Sequence, residues 1–208
     1  MSVICPTVTA TGTHEYRVQM ERLAPLTKRV HIDLMDGKFA PTTSPGLDQV
    51  WWPEELSADI HLMYQNPMTQ VDQLIHLKPH LVIIHEEADV DYRAFADQMH
   101  QNLIKVGIAL LQNTPAERIR ETILSFDHVL IFSGDLGRHG GLADMRLLEK
   151  VSRVREYHPT VEIGWDGGIN EDNAEALMTG GVDVLNVGGF IQNATDPAAA
   201  YATLKAIR

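Results

Sequence analysis

The sequence contains only one cysteine, Cys5, among its 208 residues. A single thiol excludes an internal disulfide and a metal cluster held by several thiolates. Cys5 stands in an apolar segment near the N-terminus, and no neighbouring residue in the sequence offers a positioned base that a nucleophilic thiol would need. We therefore expect Cys5 to be a small buried residue of a first strand.

Basic clusters and long apolar runs are also missing. No cluster of lysine and arginine is longer than a pair, and the net charge is −11, so a nucleic-acid or anionic-membrane surface is not expected. No segment approaches the length of a membrane span, and residues 1–5 lack the basic and apolar regions of a secretory signal. These features predict a cytoplasmic protein with no nucleic-acid or membrane partner.

Short runs rich in apolar and β-branched residues alternate with amphipathic segments along the whole chain. The eight runs are Val3–Val8, Arg29–Leu34, Ala58–Met63, Leu81–His85, Lys105–Leu110, His128–Phe132, Val161–Trp165 and Val182–Val187. Apolar residues at a spacing of three to four, such as Tyr16, Met20 and Leu23, predict helices between them. Strict alternation favours a parallel sheet, and eight strand–helix pairs in this length favour an α/β fold of the (β/α)8 TIM barrel type over an open sheet. Because no linker interrupts the pattern, we expect a single domain over residues 1–208, with its chemistry at the C-terminal ends of the strands.

Polar side chains stand at the ends of three of the predicted strands. His31 and Asp33 lie two residues apart on one face of strand two, His61 ends strand three, and Asp166 ends strand seven. Taken singly, the histidines could be satisfied core residues and the aspartates could cap turns. Because burying a carboxylate is costly unless it is paired or coordinated, their presence on one rim predicts a site for one divalent metal ion. Two imidazoles and two carboxylates suit Zn²⁺, Fe²⁺ or Mn²⁺ better than Mg²⁺.

Glycine clusters follow the last three predicted strands. They are Gly137, Gly140 and Gly141 after strand six, Gly167 and Gly168 after strand seven, and Gly188 and Gly189 after strand eight. Any one cluster could be only a tight turn, but barrels commonly hold a phosphate in the loops after strands seven and eight, where glycine lets backbone N–H groups approach an anion. Met35 and Met63, at the same rim, could wall an apolar slot of the substrate site or serve packing alone.

Two further pairs of residues, one polar and one aromatic, each allow two structural roles. His85 and Glu87, near the end of strand four, could orient a metal ligand from behind or form a surface pair. Trp51 and Trp52 form an apolar patch that suits either a subunit interface or packing under a lid. We expect the histidines without a partner pattern to lie on solvated helix faces or at the ends of elements: His14, His76, His100, His128 and His158.

These residues fall in segments that resemble the ribulose-phosphate 3-epimerase family of metal-dependent (β/α)8 enzymes. The matching segments are residues 31–41 (HIDLMDGKFAP), 59–63 (DIHLM) with Asn66-Pro67, 85–88 (HEEA), Thr114-Pro115, and 166–169 (DGGI) with Asn173. The resemblance implies that His31, Asp33, His61 and Asp166 bind the metal ion and that Asp33 and Asp166 are the catalytic acid/base pair. The implied reaction converts D-ribulose 5-phosphate to D-xylulose 5-phosphate through a metal-stabilised enediolate. Family members are commonly oligomeric, so a homo-oligomer is a further expectation.

The chain departs from the usual pattern of this family at several positions. Ala10 stands where the family has serine, although Thr7 or Thr9 could substitute, and Thr42 and Leu111 stand where it has asparagine. The strand-six loop at 133–142 is one residue longer and differs in sequence, and Gly188-Gly189 replaces a glycine–serine pair. These changes remove polar contacts to substrate and leave the metal ligands whole, so they put the substrate in more doubt than the reaction type. Arg138 and His139 could supply new contacts to a phosphate or to a different sugar end.

Three other functions compete with this interpretation. The first is epimerisation of another ketose phosphate, such as a hexulose 6-phosphate. The second is a lyase on a similar phosphate-binding barrel, but such relatives place a lysine between two aspartates, and the segment Asp33-Leu-Met-Asp36 has none. The third is a sugar-phosphate-binding barrel without catalytic turnover, which the altered loops make credible.

Overall fold

The computed structural model describes residues 2–138 and 141–207 and contains a closed barrel of eight parallel strands. The strands are β1 (Val3–Thr9), β2 (Arg29–Met35), β3 (Ser57–Met63), β4 (Leu81–His85), β5 (Lys105–Leu110), β6 (His128–Phe132), β7 (Glu162–Asp166) and β8 (Val184–Val187). They pair in sequence order, and β8 closes onto β1. This is the predicted (β/α)8 TIM barrel.

Seven α-helices in the described part of the chain surround the barrel. They are α1 (Thr13–Leu23), α2 (Val71–Leu77), α3 (Tyr92–Gln101), α4 (Leu148–Tyr157), α5 (Ala174–Thr179), α6 (Gly189–Gln192) and α7 (Pro197–Ala206). No described helix is long and apolar enough to cross a membrane.

The predicted strict alternation of strand and helix does not hold at two connections. Residues 36–56, between β2 and β3, form no helix, and the connection from β5 to β6 contains only the 3-10 turns Ala116–Ile119 and Ile123–Ser125. Pro41, Pro45 and Pro53 explain the first case, because proline removes a backbone donor and clashes with the preceding helical turn.

The strands are buried on both faces, which is why they read as nearly continuous apolar runs. Their outward-facing side chains pack under the helices; Met20 and Leu23 of α1 are fully buried there, as their spacing predicts. A small apolar cluster of Leu81, Ile83, Ala109 and Leu130 fills the barrel interior.

A network of charged residues closes the N-terminal end of the barrel. The Arg29 guanidinium donates to Asp59 at 2.6 Å and to both carboxylate oxygens of Glu162 at 2.7 and 2.9 Å, and His128 Nδ1 lies 2.9 Å from Glu162. His128 does start β6, but its side chain is buried in this floor network rather than solvated. Cys5 is also fully buried, and burial, reinforced by the charge of Asp59, raises the pKa of its thiol, so it is not an activated nucleophile.

Candidate metal centre and substrate cavity

The predicted metal ligands meet at the C-terminal end of the barrel. His31 and Asp33 project from β2, His61 from β3, and Asp166 from the last position of β7. Asp33 and His61 are register partners on adjacent strands, which brings their side chains together. All four residues are buried, and one potential ligand atom from each lies within 4.8 Å of the others.

The spacing of the ligand atoms fits a single divalent cation. Asp33 Oδ1 lies 2.9 Å from His61 Nδ1 and 3.2 Å from His31 Nε2, and Asp166 Oδ2 lies 3.8 Å from each of these nitrogens. Ligands about 2.1 Å from a tetrahedral ion stand roughly 3.4 Å apart, within the observed range. His31 is fully buried, its Nδ1 has no partner among the described residues, and its Nε2 faces only the carboxylates of Asp33 and Asp166. A ring nitrogen that faces only carboxylates is placed as a metal ligand requires.

The two carboxylates of the metal-free site have pKa values shifted in opposite directions. Burial, and then the charge of Asp33, raises the pKa of Asp166 to about 7. Burial alone would also raise the pKa of Asp33, but contacts with His31 and His61 outweigh it and hold that pKa well below its usual range. The site therefore pairs an ionised carboxylate with one that is protonated below neutral pH.

The two imidazoles also differ. Burial lowers the pKa of His61 to about 4 despite its contact with Asp33, so its ring is neutral at neutral pH. Burial would lower the pKa of His31 as well, but the Asp33 and Asp166 carboxylates outweigh burial and raise it. A divalent cation held by the four residues would place a positive charge beside the two carboxylates.

Thr9 supports the metal centre, a role that no spacing pattern in the sequence predicts. Its hydroxyl donates to Asp33 Oδ2 at 2.5 Å, which leaves the other carboxylate oxygen facing the two histidines. The Gln19 amide of α1 in turn holds the Thr9 backbone through two hydrogen bonds of 3.0 Å. Gln19 on helix α1 therefore holds Thr9, and Thr9 holds the Asp33 carboxylate in its orientation.

His85 lies directly behind the candidate metal ligand His61, so the surface-pair interpretation is wrong. Its ring is fully buried, with Nε2 at 2.8 Å from His61 Nε2 and Nδ1 at 3.3 Å from Glu87 Oε2. His61 is thus contacted by Asp33 on one ring nitrogen and by His85 on the other.

A cavity of about 270 Å³ opens above the metal centre. Asp33 and Asp166 form part of its floor, and Met63 and Phe132 line its wall. Six of the predicted glycines also line it: Gly137, Gly141, Gly167, Gly168, Gly188 and Gly189. Gly140 and His139 lie outside the described residues. Met35 does not line the cavity; it packs beside it with Ala40 and Met63.

The glycines after β7 are required by backbone packing as well as by the cavity. Gly167 has φ +110°, and a Cβ there would lie 2.1 Å from the backbone nitrogen of Gly134 in the loop after β6. Gly168 has φ +72°, and its Cβ would meet the backbone nitrogen of Ala143 at the same distance. These glycines let the loop after β6 cross close above β7.

The loop after β6 also reaches across the barrel to the loop after β2. Thr42 Oγ1 donates to the Gly137 carbonyl at 3.0 Å, and Leu136 packs against the Met35 cluster. The exposed Arg138 sits at this edge and lines the cavity. This loop therefore forms one side of the cavity mouth.

Two further buried polar side chains line the cavity without a protein partner. Both amide atoms of Asn186 and the Thr7 hydroxyl make no hydrogen bond within the described part of the chain, although each residue is at most 2% exposed. Asn186 is the register partner of Asp166 on the neighbouring strand. Leaving such groups unsatisfied costs about 1–3 kcal/mol each, so they are suited to a polar ligand.

Comparison with known proteins adds two findings. The profile of the Ribulose-phosphate 3 epimerase family matches residues 3–192. The chain is 32% identical over 187 residues to a ribulose-phosphate 3-epimerase of Helicobacter pylori, covering 86% of each chain, and 31% identical over 183 residues to one of Mycobacterium bovis, covering 85% of this chain and 80% of the relative.

Solved structures agree in fold at lower identity. A 3-hexulose-6-phosphate synthase superposes with a TM-score of 0.74 at 18% identity, covering 99% of both chains. The KGPDC of Streptococcus mutans gives a TM-score of 0.76 at 11% identity, covering 99% of this chain and 96% of the other. At this level of identity, the two structures confirm the barrel fold of the chain and give no information on its function.

Proposed function

The chain belongs to the ribulose-phosphate 3-epimerase family, and we propose from this membership and from the site that it catalyses metal-dependent 3-epimerisation of a ketose phosphate. The observation that carries the proposal is the buried set His31, Asp33, His61 and Asp166 at the base of a cavity. We further propose that residues 1–208 form one catalytic domain, since all eight strands belong to one closed sheet.

The four buried residues would hold one divalent ion, with Zn²⁺, Fe²⁺ and Mn²⁺ as the candidates. When bound, such an ion polarises the substrate oxygens next to the reacting carbon and makes its proton easier to remove. Nitrogen ligands from two histidines disfavour Mg²⁺, which prefers an oxygen shell.

Asp33 and Asp166 are the proposed proton-transfer residues. Inversion at carbon needs one group to remove a proton from one face and another to return a proton to the opposite face. The two carboxylates come from β2 and β7, which are separated around the barrel by β1 and β8. Each carboxylate can therefore serve one face of the reacting carbon, one removing a proton while the other, once protonated, returns one.

The substrate phosphate is proposed to bind where the loops after β7 and β8 meet. Gly168 and Gly189 line the cavity, and Gly189 begins α6, whose first amides have no partner within the helix. The Arg138 side chain at the cavity edge adds a positive charge. D-Ribulose 5-phosphate is the first candidate substrate, because the relatives are named as epimerases of a ribulose phosphate.

Deuterium incorporation tests the proposal. The metal-loaded protein is incubated with D-ribulose 5-phosphate in D₂O, and we expect D-xylulose 5-phosphate labelled at C3. Asp33→Asn and Asp166→Asn should each slow epimerisation by about 10²–10⁴-fold or more. Asp172→Asn makes the same charge change on the exposed part of the loop after Asp166 and serves as the control.

Absence of both epimer and label would reject ribulose-phosphate epimerase activity. A hexulose 6-phosphate is then the second substrate to examine, and turnover of it alone would assign the chain to a different ketose phosphate. If neither substrate reacts, yet either one protects the protein against thermal unfolding, a sugar-phosphate-binding barrel replaces the enzyme.

A further inference from the structure

A continuous series of contacts runs from the candidate metal centre to the loops that follow β4 and β5. His61 Nδ1 faces Asp33 at 2.9 Å, and His61 Nε2 faces His85 Nε2 at 2.8 Å. His85 Nδ1 then faces Glu87 Oε2 at 3.3 Å. Both rings are fully buried, so water does not compete for these contacts.

Glu87 is held in one orientation at the end of this series of contacts. Its Oε1 accepts the Leu111 backbone N–H at 3.1 Å and the Thr114 hydroxyl. Lys150 fixes the same segment by donating to the carbonyls of Leu111 and Gln112 at 2.7 and 2.8 Å. The second oxygen of Glu87 is therefore directed at His85, and contacts with His85 and Thr114 outweigh burial and hold the pKa of Glu87 below its usual range.

We propose that Glu87 and His85 are positioning residues that fix the tautomer of His61, so that His61 presents a bare Nδ1 to the metal ion. A carboxylate can only accept, so His85 must carry its proton on Nδ1. Neutral His85 then has a bare Nε2, and the 2.8 Å contact requires the proton of that pair to sit on His61 Nε2. The remaining nitrogen of His61, Nδ1, is left as a lone-pair donor.

The same reasoning explains why Asp33 and His61 Nδ1 can lie 2.9 Å apart. A carboxylate and a bare ring nitrogen repel each other unless a cation lies against both. A divalent ion at the four-residue site supplies that cation. The inference thus rests on the metal-centre part of the proposed function, and it does not depend on which sugar phosphate is turned over.

Glu87→Gln reverses the proposed tautomers without changing the size of the side chain. The Leu111 N–H can only donate, so the new amide must turn its oxygen to Leu111 and its NH₂ to His85. His85 would then carry its proton on Nε2, and His61 on Nδ1, where it blocks metal binding. Glu86→Gln is the matched control, because Glu86 is the adjacent buried glutamate and contacts Arg118 rather than His85.

Zinc affinity, measured by competition with a chromophoric chelator, gives the first test. We expect Glu87→Gln to bind Zn²⁺ about 10–100-fold more weakly than the unchanged protein, with Glu86→Gln close to the unchanged value. Equal affinities of the two variants would overturn the inference while leaving the metal centre intact. Failure of the unchanged protein to bind zinc would instead contradict the proposed function.

Long-range ¹H–¹⁵N NMR of the histidine rings gives a second test that reads the tautomers directly. In the zinc-loaded protein at mildly alkaline pH, we expect the His85 proton on Nδ1 and the His61 proton on Nε2. A proton on His85 Nε2 in the unchanged protein would overturn the inference. Because this measurement requires no variant, it decides the question even if Glu87→Gln does not fold.

Discussion

Metal binding to this site should release protons, and fewer of them as the pH rises. The reason is that the metal-free site holds protons that the cation must displace. Asp166, with its pKa raised to about 7, keeps its proton below neutral pH, and the carboxylates of Asp33 and Asp166 outweigh burial and raise the pKa of His31. Asp33 is already ionised and His61 already neutral, so neither adds to the change near neutral pH.

The size of the effect follows from the position of Asp166 on its titration curve. With a pKa of about 7, roughly nine in ten of its carboxyl groups carry a proton at pH 6 and roughly one in ten at pH 8. Asp166 alone therefore accounts for a fall of about 0.8 proton per bound ion across this interval. The raised pKa of His31 acts in the same direction, because its proton is also lost as the pH rises.

Calorimetric titration of the metal-free protein with Zn²⁺, in buffers of different ionisation enthalpy, counts the released protons directly. Asp166→Asn removes the carboxyl group and should flatten the dependence to the part contributed by His31. A proton release that is constant or increases between pH 6 and pH 8 would refute the electrostatic description of the site.

Two further predictions concern the cavity. Gly167→Ala forces a Cβ against the backbone of Gly134, which should cost roughly 2–5 kcal/mol and lower the Tm by roughly 5–15 °C. Gly12→Ala is its control, since a Cβ there meets nothing within 4 Å, and equal Tm values for the two variants would show that the loop after β6 does not pack as described. Asn186→Leu removes a buried amide without protein partners within the described residues, so we expect a higher Tm together with a KM raised by roughly 2–12-fold. An unchanged KM would mean that Asn186 holds only water.

The strands could be predicted closely because both faces of a barrel strand are buried. β4, β5 and β6 have the predicted bounds, while β7 starts one residue later, at Glu162, and β8 two residues later, at Val184. The connection between β2 and β3 shows the limit of this approach. The strand pattern predicts a crossover connection between two parallel strands, but it does not fix the structure of that connection. When prolines interrupt the segment, an irregular loop replaces the helix.

The cluster of candidate metal ligands could be predicted because its members are polar residues at strand ends within otherwise apolar runs. His31 and Asp33 carried the strongest signal, since their two-residue spacing places both on one face of a strand. Thr9 was indicated only by the family resemblance, as one of two threonines that could replace a serine, and Asn186 carried no signal, because its neighbours lie on other strands. His128 was expected at an element end or on a solvated surface; its partner Glu162 is 34 residues away, and only closure of the barrel brings them together.

The charged network of Arg29, Asp59 and Glu162 lies at the end of the barrel opposite the cavity above the candidate metal centre. Under the proposed function, the cation would bind beneath the cavity and the sugar phosphate above it. We therefore expect ordered binding, in which the ion binds before the sugar phosphate and leaves after it. A sugar phosphate in the cavity would block the exit of the cation. We therefore expect a chelator to remove the ion far faster from the substrate-free protein than from the protein during turnover.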